Sequence, residues 1–189
     1  NFVVGVNGSG KTNLVRAFCF AVAGHTFLPY KVPLNHLIND RHRAEVSNPS
    51  CRVQVEIEDA RRKLHAQSSL SLVGERVTQT SAVDVGLDEI ALTGKLKQII
   101  INSENVQEQL SLTCSTGARW DCMMQKSLEL NMKAGIKMAI IDGAWGYLDP
   151  YRRKKMLDLL AQLPMEQVII MVNLLGDELE NYPCTIHRI

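Results

Sequence analysis

At 189 residues and 46% hydrophobic content, the chain is long enough for one sizeable α/β core, or one core with a small appended subdomain. Twenty-one Lys and Arg against 20 Asp and Glu leave a net charge of +1, which argues against a protein that holds nucleic acid by overall charge and leaves that task to local basic patches. No apolar run approaches the roughly 20 residues of a membrane span and no signal sequence opens the chain, so a soluble protein with no membrane partner is expected.

The chain starts Asn1-Phe2-Val3-Val4, already inside a strand and without an initiating Met, so a cut boundary with chain missing upstream is expected. Phe2 to Val6 is a short apolar run that contains Gly5, and Lys11 to Ala23 reads as an apolar helix. Leu28 to Pro49 is rich in Pro, Asn and charge and reads as loop. Cys51 to Glu58 alternates apolar and polar residues, the mark of a half-exposed strand. Short strand pieces are predicted at Lys63 to Ala66, Ser69 to Val73 and Arg76 to Thr80, turning at Gly74-Glu75; together they predict a small antiparallel sheet. Leu87 to Leu112 is mixed, with one strand candidate at Gln98 to Ile101. A helix is predicted over Ala118 to Met132, a buried strand over Met138 to Ile141, an amphipathic helix over Pro150 to Leu163 and a fully apolar strand over Gln167 to Val172. Strands alternating with helices predict a mainly parallel sheet covered on its faces.

Between the first strand and the first helix, Gly5-Val6-Asn7-Gly8-Ser9-Gly10-Lys11-Thr12 satisfies GxxxxGK[ST] in full, in the context that pattern requires. Its glycines permit backbone angles closed to other residues, so successive N–H groups can turn around phosphate oxygens. Lys11 brings a mobile point charge to the β and γ phosphates, Thr12 offers a hydroxyl to Mg²⁺, and the helix adds its positive end. A nucleoside triphosphate, ATP with Mg²⁺, is the expected ligand. Hydrolysis also needs an acidic residue at a strand end to order the metal and the attacking water. Asp142 stands there, where Met138-Ala139-Ile140-Ile141 emerges from the sheet.

Gly5 to Leu14, reading GVNGSGKTNL, resembles the nucleotide loop of ABC-type ATPase heads of the RecF and SMC families, P-loop NTPases of DNA repair, recombination and chromosome maintenance. In those families the Walker B Asp is followed seven residues later by the D-loop Asp; here Asp142 is followed at that spacing by Asp149. Leu112 to Ala118, reading LTCSTGA, resembles a degraded ABC signature, the segment that reaches across a dimer to the partner's γ-phosphate. The resemblance covers both ends of the chain and is weakest between Tyr30 and Leu110.

It implies one ATPase head spanning 1–189, with an N-lobe at 1–110 and a C-lobe at 111–189, and an α/β fold carrying a small antiparallel β subdomain. It implies that Asn7, Gly8, Ser9, Gly10, Lys11, Thr12, Asn13, Ser115 and Gly117 bind ATP, that Thr12 and Asp142 hold Mg²⁺, and that Lys11, Asp142 and Asp149 serve catalysis. It implies an ATP-dependent homodimer, or a pseudo-dimer with a related head, acting on DNA. The family's catalytic Glu position is Gly143, so slow hydrolysis is expected. Asn173 or Leu174 stands where a switch His would be, and the Q-loop residue has three candidates, Gln98, Asn102 and Gln107. No coiled coil separates the halves.

Two further readings stay open: a nucleotide-gated module that binds ATP with little hydrolysis, and a P-loop small-molecule kinase, disfavoured because no arginine-rich lid is evident. Arg152-Arg153-Lys154-Lys155 and the groups Arg41-His42-Arg43 and Arg61-Arg62-Lys63 are either DNA-facing or ordinary solvated faces. Trp145 and Tyr147 either pack at a dimer interface or cover the local core. Cys19, Cys51, Cys114, Cys122 and Cys184 show no metal spacing and read as reduced thiols of a cytoplasmic protein, nuclear or nucleoid-associated if it works on a chromosome.

Overall fold

The computed structural model describes residues 1–26, 32–58, 63–83, 98–102, 115–176, 179 and 182–189. In chain order the elements are β1 (Phe2–Val4), α1 (Lys11–Ala23), a 3₁₀ turn (Leu34–Leu37), α2 (Asp40–Glu45), β2 (Ser50–Glu58), β3 (Lys63–Val73), β4 (Arg76–Val83), β5 (Ile100–Asn102), α3 (Thr116–Lys133), β6 (Met138–Asp142), a second 3₁₀ turn (Trp145–Tyr147), α4 (Pro150–Gln162), β7 (Gln167–Val172) and β8 (Ile186–Arg188). The chain divides into two compact units, one of Asn1–Thr12 with Lys95–Ile189 and one of Asn13–Gly94. Arg61, Arg62, Gln107, Cys114 and the Leu112 to Cys114 part of the signature-like segment lie outside the described residues.

The first unit is built on a five-stranded sheet of order β5-β6-β7-β1-β8, in which every neighbouring pair is parallel. Such a sheet must be covered on both faces, so its strands read as apolar runs. Ala139, Ile140 and Ile141 of β6 and Ile170, Met171 and Val172 of β7 are buried accordingly. Met124 and Leu128 of α3, and Met156 and Leu157 of α4, join Phe2, Val4, Ile141 and Ile170 in one core. Trp145 lies in it at 1% exposure and meets Phe2 edge-on, ring centres 5.5 Å apart. Of the two sequence-level roles open to Trp145, the core one is observed.

The second unit holds an antiparallel sheet, β2-β3-β4, as expected, and its core gathers Phe20, Ile38 and Leu70. Here β3 is one continuous strand rather than two pieces. The polar Gln67-Ser68 step that breaks the apolar pattern is accommodated because Ser68 is fully buried and hydrogen-bonded, its hydroxyl donating to Ala21 O at 3.3 Å and accepting from the Ser81 hydroxyl at 3.1 Å.

Three other expectations shift. The stretch read as loop from Leu28 to Pro49 contains the 3₁₀ turn and α2. That helix has no apolar stripe to betray it and depends on its cap, Asn39 Oδ1 accepting from Arg41 N at 2.9 Å and His42 N at 3.3 Å. The strand expected at Gln98 to Ile101 runs from Ile100 to Asn102, with Gln98 ahead of it. The edge strand β8 has no counterpart among the predicted elements, because its three residues are all exposed and carry no periodic signal. Among the described residues no helix is long and apolar enough to cross a membrane.

Candidate functional site

The loop after β1 is held at both ends. Gly5 N donates to Val172 O at 3.2 Å, tying the loop to β7, and Ser9 N donates to Val6 O at 3.1 Å. Gly5 admits no side chain, since a Cβ would run into Ser9 Oγ and stand 2.8 Å from Ile189 O. Gly8 and Gly10 have φ of +85° and +104° with open space above them, the left-handed angles that let a loop turn its N–H groups to one side. The Lys11 ammonium donates to Gly5 O at 2.6 Å and to Val6 O at 2.9 Å, so it closes the loop on itself. Ser9 Oγ is buried without a hydrogen-bond partner, a polar atom left for a ligand to satisfy. Lys11 and Thr12 open the 13-residue helix α1, whose positive end adds to an anion-binding cradle.

Asp142 ends β6 in register with Met171 of β7, and Met171 is in register with Val3 of β1. Two strand spacings of about 4.8 Å place these backbones roughly 10 Å apart, with the loop beginning two residues beyond Val3. Because all the strands run the same way, Asp142 and the loop share the carboxyl edge of the sheet, where parallel α/β folds place ligands. Asn102 pairs with Asp142 and reaches the same edge, whereas Gln98 precedes its strand and lies toward the opposite end. Among the described residues no group of three metal-binding side chains exists. A hard cation here can draw on the Thr12 hydroxyl and the Asp142 carboxylate, with phosphate and water oxygens completing its shell, the usual manner of Mg²⁺. Gly143 follows with φ +79°, so this position lacks a side chain and also holds a backbone angle that disfavours one.

Ser115 caps α3, its hydroxyl accepting from Ala118 N at 3.3 Å. Asp149 caps α4, accepting from Arg152 N at 2.9 Å and ion-pairing with the Arg152 guanidinium. The hydrogen bond from Arg152 N, with the Arg152 side chain adding to it, holds the Asp149 carboxyl below its ordinary value. These two helix starts meet. A Cβ on Gly117 would stand 2.9 Å from Tyr147 O and 3.8 Å from Arg152 Nη1, and the rings of Trp120 and Tyr147 stack at 5.6 Å, 8° from parallel. Ser115, Gly117 and Asp149, drawn from separate stretches of sequence, therefore belong to one junction.

The basic groups are partly neutralised. Arg41 pairs with Glu45 at 2.7 Å and Arg43 with Asp40, and Lys155 lies 3.6 Å from Asp121. A feature unnoticed in the sequence is a cavity of about 410 Å³ in the second unit, lined by Arg16, Phe20, His36, Ile38 and Cys51 among others. Its only sequence trace is the helical spacing of Asn13, Arg16, Ala17 and Phe20 on α1. Burial drives the Cys19 thiol up to about 12 and raises Cys51 as well, which makes both poor nucleophiles.

No protein-family model matches the sequence, and no match was found among curated proteins. Among solved structures, the chain resembles an SMC head bound to the C-winged helix domain of ScpA, with a TM-score of 0.58 and 12% identity over 94% of this chain and 82% of that one. It also resembles the SMC head domain from Thermotoga maritima, with a TM-score of 0.52 and 14% identity over 91% of this chain and 80% of that one. At such identities the likeness is one of fold. The parallel sheet flanked by helices and the small antiparallel sheet match the fold of those SMC heads, the α/β class that the sequence predicted.

Proposed function

We propose that the chain is an ATP-binding and ATP-hydrolysing head of the RecF/SMC kind, which pairs with a second head when ATP is bound and acts on DNA in repair, recombination or chromosome maintenance. One observation carries the reading: a self-fastened loop with left-handed Gly8 and Gly10 shares the carboxyl edge of a parallel sheet with Asp142, within the fold of an SMC head. Residues Asn7 to Asn13 embrace the phosphates, and Lys11 exchanges its carbonyl partners for β- and γ-phosphate oxygens. Mg²⁺, when bound through Thr12 and Asp142, supplies neutralisation of the phosphate charge. In hydrolysis a water oxygen bonds to the γ phosphorus while the bond to the β–γ bridging oxygen breaks, leaving ADP and phosphate. Lys11 and the loop N–H groups stabilise the charge that gathers on the departing ADP. The water's proton needs an acceptor that Gly143 does not offer, so turnover is slow. Ser115, Gly117 and Asp149 complete the nucleotide site of the partner head.

Gly143 supports one second reading, a module that binds ATP and pairs but scarcely hydrolyses it. The test is nucleotide binding, turnover and self-association of the intact chain beside Lys11→Ala. Lys11→Ala is expected to lose ATP binding with the fold retained by circular dichroism; unaltered binding would defeat the site assignment. Binding and pairing without measurable phosphate release would favour the second reading over the first.

A further inference from the structure

Arg152 stands where three segments of separate sequence origin meet, and neither the nucleotide loop nor Asp142 requires it. Its backbone N–H and its guanidinium take the two oxygens of Asp149, Oδ1 at 2.9 Å from the amide and Oδ2 in the ion pair. That pairing fixes the carboxylate, which one hydrogen bond at an exposed helix cap would leave free to rotate. The Arg152 side chain also lies against the first turn of α3, with Nη1 3.8 Å and Cδ 4.0 Å from the position a Gly117 side chain would take. Tyr147 O stands 2.9 Å from that same position, and the ring of Tyr147 stacks on Trp120 of α3. The Arg152 side chain is one-third exposed and that of Asp149 44% exposed, so the pair is open to a partner yet locally fixed.

We infer that Arg152 is a positioning residue that locks Asp149 to the Ser115–Gly117 turn, so that both present to a second copy of this chain as one preformed surface. The inference rests on the ATP-dependent pairing proposed above. Without the guanidinium, Asp149 keeps its backbone cap but loses its second anchor, and the turn and the carboxylate move independently. The entropy of ordering them is then lost at each encounter. Arg152 acts through Asp149 and touches no nucleotide, so its removal spares ATP affinity and weakens pairing.

The experiment uses the intact chain with Mg²⁺, a fluorescent ATP analogue to read affinity, and light scattering to read ATP-driven self-association. With affinity read at dilutions where the chain is monomeric, Arg152→Ala is expected to hold nucleotide affinity within about twofold while weakening association by on the order of tenfold, within the usual range of coupling between sites. Arg152→Lys, which keeps a charge on one carboxylate oxygen, is expected to recover most of that loss. Asp149→Asn combined with Arg152→Ala is expected to be little worse than either alone, as for two members of one unit. Additive losses, an Arg152→Ala chain that pairs as the parent does, or a drop in the monomer's nucleotide affinity would each overturn the inference and leave the head reading intact. A parent chain that binds the analogue but never associates would overturn both.

Discussion

Gly117 and Gly146 are two glycines 29 residues apart in sequence that give opposite answers to the same substitution. A methyl group on Gly117 meets the Tyr147 carbonyl at 2.9 Å, a backbone atom that cannot swing aside, whereas one on Gly146 meets nothing within 4 Å. Gly117→Ala is therefore expected to lower the melting temperature by several degrees, as overpacking costs of about 1–3 kcal/mol do. Gly146→Ala is expected to leave it within a degree or two. Equal melting temperatures would show that the junction is looser than described. Asp149 tests the same junction through pH. Its folded carboxyl titrates below the ordinary 3.8, so its charge contributes stability that is complete above that value. The contribution fades as pH falls through the lower, folded value. Asn caps helices nearly as well as Asp, so Asp149→Asn isolates the charge. The parent's advantage in thermal unfolding should be constant from neutral pH to about 5 and vanish in stronger acid.

At the scale of elements, pattern and structure part at a polar residue inside a strand and agree on the apolar residues of a helix. Ser68 looks like a strand break and is instead a buried, doubly hydrogen-bonded member of β3. Ser68→Ala removes the donor to Ala21 O and is expected to cost about 1 kcal/mol in urea unfolding, with secondary structure unchanged. A neutral outcome would mean that the hydroxyl is incidental. On α3, Leu128 is fully buried while Leu130 is 55% exposed. Leu128→Ala is expected to destabilise by about 2–5 kcal/mol and Leu130→Ala by under about 0.5 kcal/mol. The helical period assigns these two residues to different faces before any coordinates are known. It had no such purchase on α2, a short polar helix set by the Asn39 cap, or on β8, whose three residues are all exposed.

For the whole molecule, the sequence by itself determined the class of fold and the loop at Gly5 to Thr12. Those are local matters: apolar periodicity marks buried faces, and the glycines, lysine and threonine of a phosphate loop must stand at fixed spacing in one continuous segment. The apolar strand ending in Asp142 was readable for the same reason. What tertiary structure decided depends on which strands become neighbours. The order β5-β6-β7-β1-β8 brings Asp142 and Asn102 to the loop's edge of the sheet and leaves Gln98 toward the other end, an outcome no spacing along the chain encodes. The meeting of Gly117, Tyr147, Asp149 and Arg152 is of the same kind, because it arises where the starts of two helices are packed together by a shared core. Motif chemistry is written in consecutive residues, whereas assembly of a site from separate segments is fixed only when burial selects one packing of the elements.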